Sequence, residues 1–139
     1  MKNNKNRHIL LILILLIIYV IIILSNTLLF RHPFEGNHLN MNLFWSYKVL
    51  KDQWIQMAEN VLLFIPLGIL LSILIKQKWL VFLIGFVFSS MIEFLQYILK
   101  LGLCELDDIF HNSLGLVIGI IFVYIFNKIL FISSKKNKH

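Results

Sequence analysis

Four long apolar stretches alternate with short polar ones along this chain. The first runs from Ile9 to Phe30 and is bounded by Lys2, Lys5 and Arg7 on one side and Arg31 on the other. The second runs from Glu59 to Ile75, the third from Trp79 to Leu99, and the fourth from about Phe110 to Ile132. A hydrocarbon core of about 30 Å takes roughly 20 residues of α-helix to cross, so each run is close to a full span. The pattern predicts an all-α polytopic membrane bundle of four transmembrane helices, about 9–30, 59–75, 79–99 and 110–132, in a single domain covering 1–139. The first run is too long for the apolar centre of a cleavable signal and lacks a small-residue cleavage site, so it reads as a retained helix. Pro66 removes one donor inside the second span and frees the Leu62 carbonyl, which predicts a kink there.

Within these runs the polar residues fall on faces. Gly85, Ser89, Glu93 and Gln96 share one side of the third helix by their 3.6-residue spacing, and Asp108, Asn112, Gly115 and Gly119 do the same on the fourth. In both, small residues lie deep in the span and polar ones lie toward one end. The second helix repeats the order, with Glu59 and Asn60 at that end and Gly68 and Ser72 deeper. Gly115 and Gly119 form a GxxxG pair, which permits close helix approach.

Composition sharpens this picture. Of 139 residues 59% are hydrophobic and only 14% charged, and the mean hydropathy is +0.83. So small a globule could not hide that much apolar surface from water. The net charge of +6 does not point to nucleic acid, because the basic residues flank apolar runs and form no stripe on a soluble face. They read as topology signals: with the N-terminus inside, Lys2, Lys5, Arg7, Lys76, Lys78, Lys128, Lys135, Lys136 and Lys138 fall inside, against Arg31, Lys48, Lys51 and Lys100 outside. The expectation is N-in/C-in in the cytoplasmic membrane. All 7 acids then fall on the outer side or in the outer part of a helix. Between the first two spans, LFWSYKVLKDQW places Trp45, Tyr47 and Trp54 among charges, as in an interfacial segment or an ordered loop. Cys104 is the one cysteine; it excludes an internal disulfide, and no zinc spacing is present. His32, His38 and His111 read as loop or interface residues.

An ionised acid in a membrane span is costly and faces the bundle or a water-filled cavity. The expected site is therefore an outward-facing acidic and amide pocket made by Asn60, Glu93, Gln96, Asp107, Asp108 and Asn112. Oxygen donors at this density suit a hard cation, Mg²⁺ or Ca²⁺, with Glu93, Asp107 and Asp108 as candidate ligands. No cofactor is otherwise expected. Helix capping by Asp107 and Asp108 is the simpler alternative for those two acids, as a hydrogen-bonded place inside the bundle is for Glu93 and an interhelical hydrogen bond is for Asn112. No nucleophile with an evident base is present, which favours an accessory role over catalysis. The inner halves offer no continuous polar path, which argues against a channel.

The segments NVLLFIPLG (Asn60 to Gly68), SSMIEFLQ (Ser89 to Gln96) and ELDDIFHNSLG (Glu105 to Gly115) resemble the VanZ family of bacterial membrane proteins. The likeness covers about residues 9–132. It departs at Glu105, where the family often has Asp, and it lacks an arginine that many members carry just before that motif. The resemblance implies a multi-pass protein of the cell envelope, with low-level glycopeptide (teicoplanin) resistance as the family's founding context. The partners it suggests are the lipid bilayer, a lipid-linked cell-wall component, a glycopeptide or another membrane protein. The alternative is an intramembrane divalent-metal-dependent enzyme acting on a lipid-linked cell-wall intermediate. The Lys, Asn and Ile bias of the chain fits a Gram-positive, A+T-rich source.

Overall fold

The computed structural model of the chain describes residues 2–31, 33, 39–44 and 51–136. Four helices carry the fold: α1 (Lys2–Leu24), α2 (Lys51–Leu74), α3 (Lys78–Leu99) and α4 (Leu106–Lys136). A π-helical turn, Ser25–Leu29, continues α1. All four are long and apolar enough to cross a membrane. Helices α2 and α4 start before the spans expected at 59 and 110, because hydropathy marks where hydrocarbon begins and the backbone hydrogen bonds of a helix continue into the polar layer. His32, Glu35, His38, Trp45, Tyr47, Lys48 and Lys138 lie outside the described residues.

The main seam joins α2 to α4, and glycine creates it. A β-carbon on Gly68 would stand 2.6 Å from the Leu116 carbonyl oxygen and 3.3 Å from the Gly119 α-carbon. One on Gly115 would collide with the Val61 carbonyl, and one on Gly119 with that of Ile65. The GxxxG pair thus brings two backbones into contact within one chain. Leu116 enters the gap over Gly85 of α3, where an added β-carbon would come within 2.6 Å of its side chain. The core around this seam is Ile23, Phe64, Leu67, Leu71, Val81, Ile92 and Leu116.

Helix α1 is more peripheral. It buries Ile23 and lays Leu16, Tyr19 and Val20 against the core, while most of its other apolar side chains are exposed. In water such a surface would drive aggregation; in a bilayer it faces lipid. The Tyr19 hydroxyl donates to the Leu63 carbonyl at 2.8 Å. This carbonyl lies one residue after Leu62, the group that Pro66 frees, so α1 supplies a donor to the proline-containing stretch of α2. Helix α2 continues through Pro66 to Leu74.

Two short connections pin one end of the bundle. β1 (Leu39–Asn40) pairs in parallel with β2 (Cys104–Glu105), Leu39 opposite Cys104 and Asn40 opposite Glu105. Pro33 bridges to Leu101. The loop after α1 is thereby tied to the loop between α3 and α4. The α3 helix ends on Lys100 in a left-handed conformation (φ 55°), and Gly102 follows with φ 81°.

Candidate functional site

Three helix ends and the two pinned loops meet at the same end of the bundle: the end of α3, the beginnings of α2 and α4, and the chain just after α1. There they enclose a cleft of about 900 Å³. Its lining is mixed: Tyr19, Phe30, Leu62, Leu63 and Leu103 are apolar, and Asn26, Thr27, Arg31, Gln56, Glu59, Asn60, Glu105 and Asp108 are polar. Helix ends and loop residues bring most of the polar groups, and the spans themselves bring most of the apolar ones.

Of the six residues expected to share a lining, Asn60 and Asp108 are on the cleft wall. Glu93, Gln96, Asp107 and Asn112 are buried behind it. They are drawn inward by bonds that sequence spacing does not reveal. A Glu93 carboxylate oxygen accepts from the Glu105 backbone amide at 3.0 Å. The Gln96 side-chain nitrogen donates to the Thr27 carbonyl at 2.8 Å. The Asn112 side-chain nitrogen donates to the Ser89 hydroxyl at 2.9 Å. An Asp107 carboxylate oxygen accepts from the Phe44 backbone amide. Phe44 has φ 61°, a left-handed conformation that costs a non-glycine residue about 1–2 kcal/mol, and its ring packs edge-on against Phe110 at 5.3 Å. Asp107 and Phe110 of α4 therefore hold the loop that closes this end.

Asp108 meets Arg31. Their nearest atoms are 3.4 Å apart, with Asp108 12% and Arg31 32% exposed. The sequence offered no way to pair them, because they are separated by 77 positions and Arg31 read only as a flanking cation. The guanidinium reaches this carboxylate from the segment that follows α1 and its π-helical turn. Gly102 packs closely against this side chain: a β-carbon there would stand 3.0 Å from the Arg31 guanidinium. Asn60 lies against Asp108 as a side-chain hydrogen-bonding neighbour, with its side-chain nitrogen buried. The Gln96 and Asn112 side-chain oxygens are buried and unpaired.

The candidate metal set does not converge. Asp107 turns to the Phe44 amide while Glu93 turns to Glu105, and no group of three or more His, Cys, Asp or Glu with metal-binding geometry exists among the described residues. His111, read as a loop or interface residue, is buried within α4. Its Nδ1 lies 2.6 Å from the Asp107 carbonyl; a carbonyl only accepts, so that nitrogen carries the proton. Cys104 sits in β2 beside the acids. Its thiol pKa is pushed up, first by burial and then by the negative charges of Glu93, Asp108 and Glu105.

A family model described as VanZ/LLP1 matches residues 10–127 of this chain. Among curated proteins, Protein VanZ of Enterococcus faecium is 31% identical over 67 residues, which is 47% of this chain and 42% of that protein. The match thus spans less than half the length of that relative. No solved structure matches the chain.

Proposed function

We propose that this chain, which belongs to the VanZ/LLP1 family, is a non-catalytic accessory protein of the cell envelope whose cleft receives the polar end of an amphiphile. The candidate ligands are a lipid-linked cell-wall component and a lipidated glycopeptide; the biological outcome is reduced susceptibility to teicoplanin. One observation carries this reading. The cleft lining combines apolar side chains with the Arg31–Asp108 pair and the buried Asn60 amide beside it. An amphiphile needs that combination: apolar walls for its chain, and a few fixed polar groups for its head.

The membrane context is the cytoplasmic membrane, with both termini inside and the cleft facing out. The distribution of lysine and arginine supports this orientation. Labelling of the Lys76–Lys78 turn from outside intact cells would overturn it. Bonds already made by Glu93 and Asp107 within the protein support an accessory role over a divalent-metal enzyme, since ligation would have to break them.

The test is teicoplanin susceptibility of a strain lacking this protein, complemented with wild type, Arg31→Gln or Asn60→Leu, with equal membrane levels checked by immunoblot. Wild type should restore tolerance, and each variant should restore less of it. A deletion without effect on susceptibility, or full restoration by both variants, would sink the reading. Turnover of a lipid-linked intermediate by the purified protein with Mg²⁺ or Mn²⁺ would replace it with the enzymatic one.

A further inference from the structure

A second concavity lies at the opposite end of the bundle, far from the cleft just described. It is a groove of about 640 Å³ between the end of α2, the start of α3 and the middle of α4. Four features of it point the same way.

First, its charge has one sign. Lys76 and Lys78 line it, and no acid does. Lys76 is exposed and has no hydrogen-bond or ion-pair partner among the described residues. The Lys78 ammonium is held in place by the Ser72 carbonyl at 2.8 Å and the Ile75 carbonyl at 3.5 Å. Those carbonyls belong to the last turn of α2 and to the residue just after it, so the charge is fixed at the groove rather than swinging in solvent.

Second, a buried donor is unused there. Ser72 is 4% exposed and lines the groove, yet its hydroxyl makes no hydrogen bond. Serines in apolar helices ordinarily donate to the carbonyl four residues back, as Ser90 does to Phe86. Ser72 does not, so its proton is available to an acceptor in the groove.

Third, α3 begins at this point without a side-chain cap: Gln77 precedes it and makes no capping bond. The free amides and positive dipole end of a helix start favour an anion.

Fourth, the rest of the lining is apolar apart from Asn127: Ile69, Ile73, Phe122, Val123 and Phe126. The Phe122 and Phe126 rings stack with centroids 6.3 Å apart, and both are more than half exposed. The exposed Trp79 stands at the start of α3, as an aromatic anchor does at headgroup level.

We propose that this groove binds an anionic phospholipid. Its headgroup phosphate sits against Lys76, Lys78 and the Ser72 hydroxyl, and an acyl chain runs along Phe122 and Phe126. A free inorganic anion would satisfy the lysines but would leave the apolar wall without a role. The site is independent of the outer cleft and of what that cleft binds.

The experiment uses the purified full chain in detergent, with retained lipid measured by native mass spectrometry. The probes are phosphatidylglycerol, phosphatidylcholine of matched chains, and millimolar inorganic phosphate. Phosphatidylglycerol should be retained over phosphatidylcholine. Lys76→Gln should lower that preference about fivefold, and Lys76→Gln with Lys78→Gln about thirtyfold, from the usual contribution of each lysine near an anionic headgroup. Ser72→Ala should lower retention about threefold, as loss of one hydrogen bond does. Lys100→Gln, at the other end of the bundle, should change nothing. Because Lys78 also bonds α2, the Lys76→Gln result stands by itself if the double variant fails to fold. Equal retention of the two lipids would overturn the proposal. So would an effect of Lys100→Gln as large as that of Lys76→Gln, or displacement of phosphatidylglycerol by inorganic phosphate.

Discussion

At one end of the bundle, polar side chains are buried and bonded to groups in other elements; at the other, two lysines flank a groove and one of them, Lys76, is exposed. Glu93, Gln96, Asp107 and Asn112 each have a protein partner from another element or from a loop. Lys76 has none among the described residues and is exposed. The difference follows from burial. A polar atom inside an apolar body loses water and must find a substitute, so at the acid-rich end the loops are folded over the helix ends to provide one. A cation at a membrane surface keeps water and needs nothing from the protein. The acid-rich end is therefore built as architecture, and its cleft is only the outermost part of that construction.

The contrast can be broken most severely at the seam that supports the acid-rich end. Gly115→Val should destabilise the protein by about 3 kcal/mol, because the added atoms meet the Val61 backbone and no flexible side chain can yield. Unfolding in mixed micelles measures this, and a neutral result would mean that α2 and α4 do not pack as described. Glu93→Ala comes next. It strands the Glu105 amide and should cost about 1–3 kcal/mol, whereas Glu93→Gln keeps an acceptor and should cost much less. Equal losses for the two would show that the carboxylate charge matters more than the bond.

The Arg31–Asp108 pair stands at the boundary between architecture and cleft. Arg31→Met should cost about 1–2 kcal/mol, between the worth of an exposed pair and the penalty for stranding a buried charge. Adding Asp108→Leu should recover part of that loss, and a double-mutant cycle reads the coupling. Additive effects would show that the two side chains do not interact. The smallest effect concerns Cys104. Thiolate is the reactive form, and a raised thiol pKa leaves less of it near neutral pH. Maleimide labelling should be slower than for an exposed thiol and should rise as pH increases through and beyond the usual thiol range. Glu93→Gln should speed it, since one of the negative charges that holds the proton on is removed.

Much of the bundle was legible from spacing. The apolar runs marked all four helices, and their period placed Gly85, Ser89, Glu93 and Gln96 on one buried face of α3, as it did Asp108, Asn112, Gly115 and Gly119 on α4. A helix repeats every 3.6 residues wherever it stands, so which residues share a face is a local property. That part needed no knowledge of neighbours. The glycine pair of α4 was also legible as a site of close approach, though not its partner, Gly68 of α2.

The depth of each polar residue was decided by packing. Residue order is enough to reveal a lipid-type, four-helix protein with its acids gathered toward one end. Folding alone brings Arg31 to Asp108 across 77 positions, hands Glu93 to the Glu105 amide, and leaves Asn60 and Asp108 on a cleft that Asn112 does not reach. The cause is range. Helix periodicity and hydropathy act within a few residues, whereas these contacts depend on how β1 and β2 tie two loops together, and nothing in either loop's own composition specifies the other as its partner.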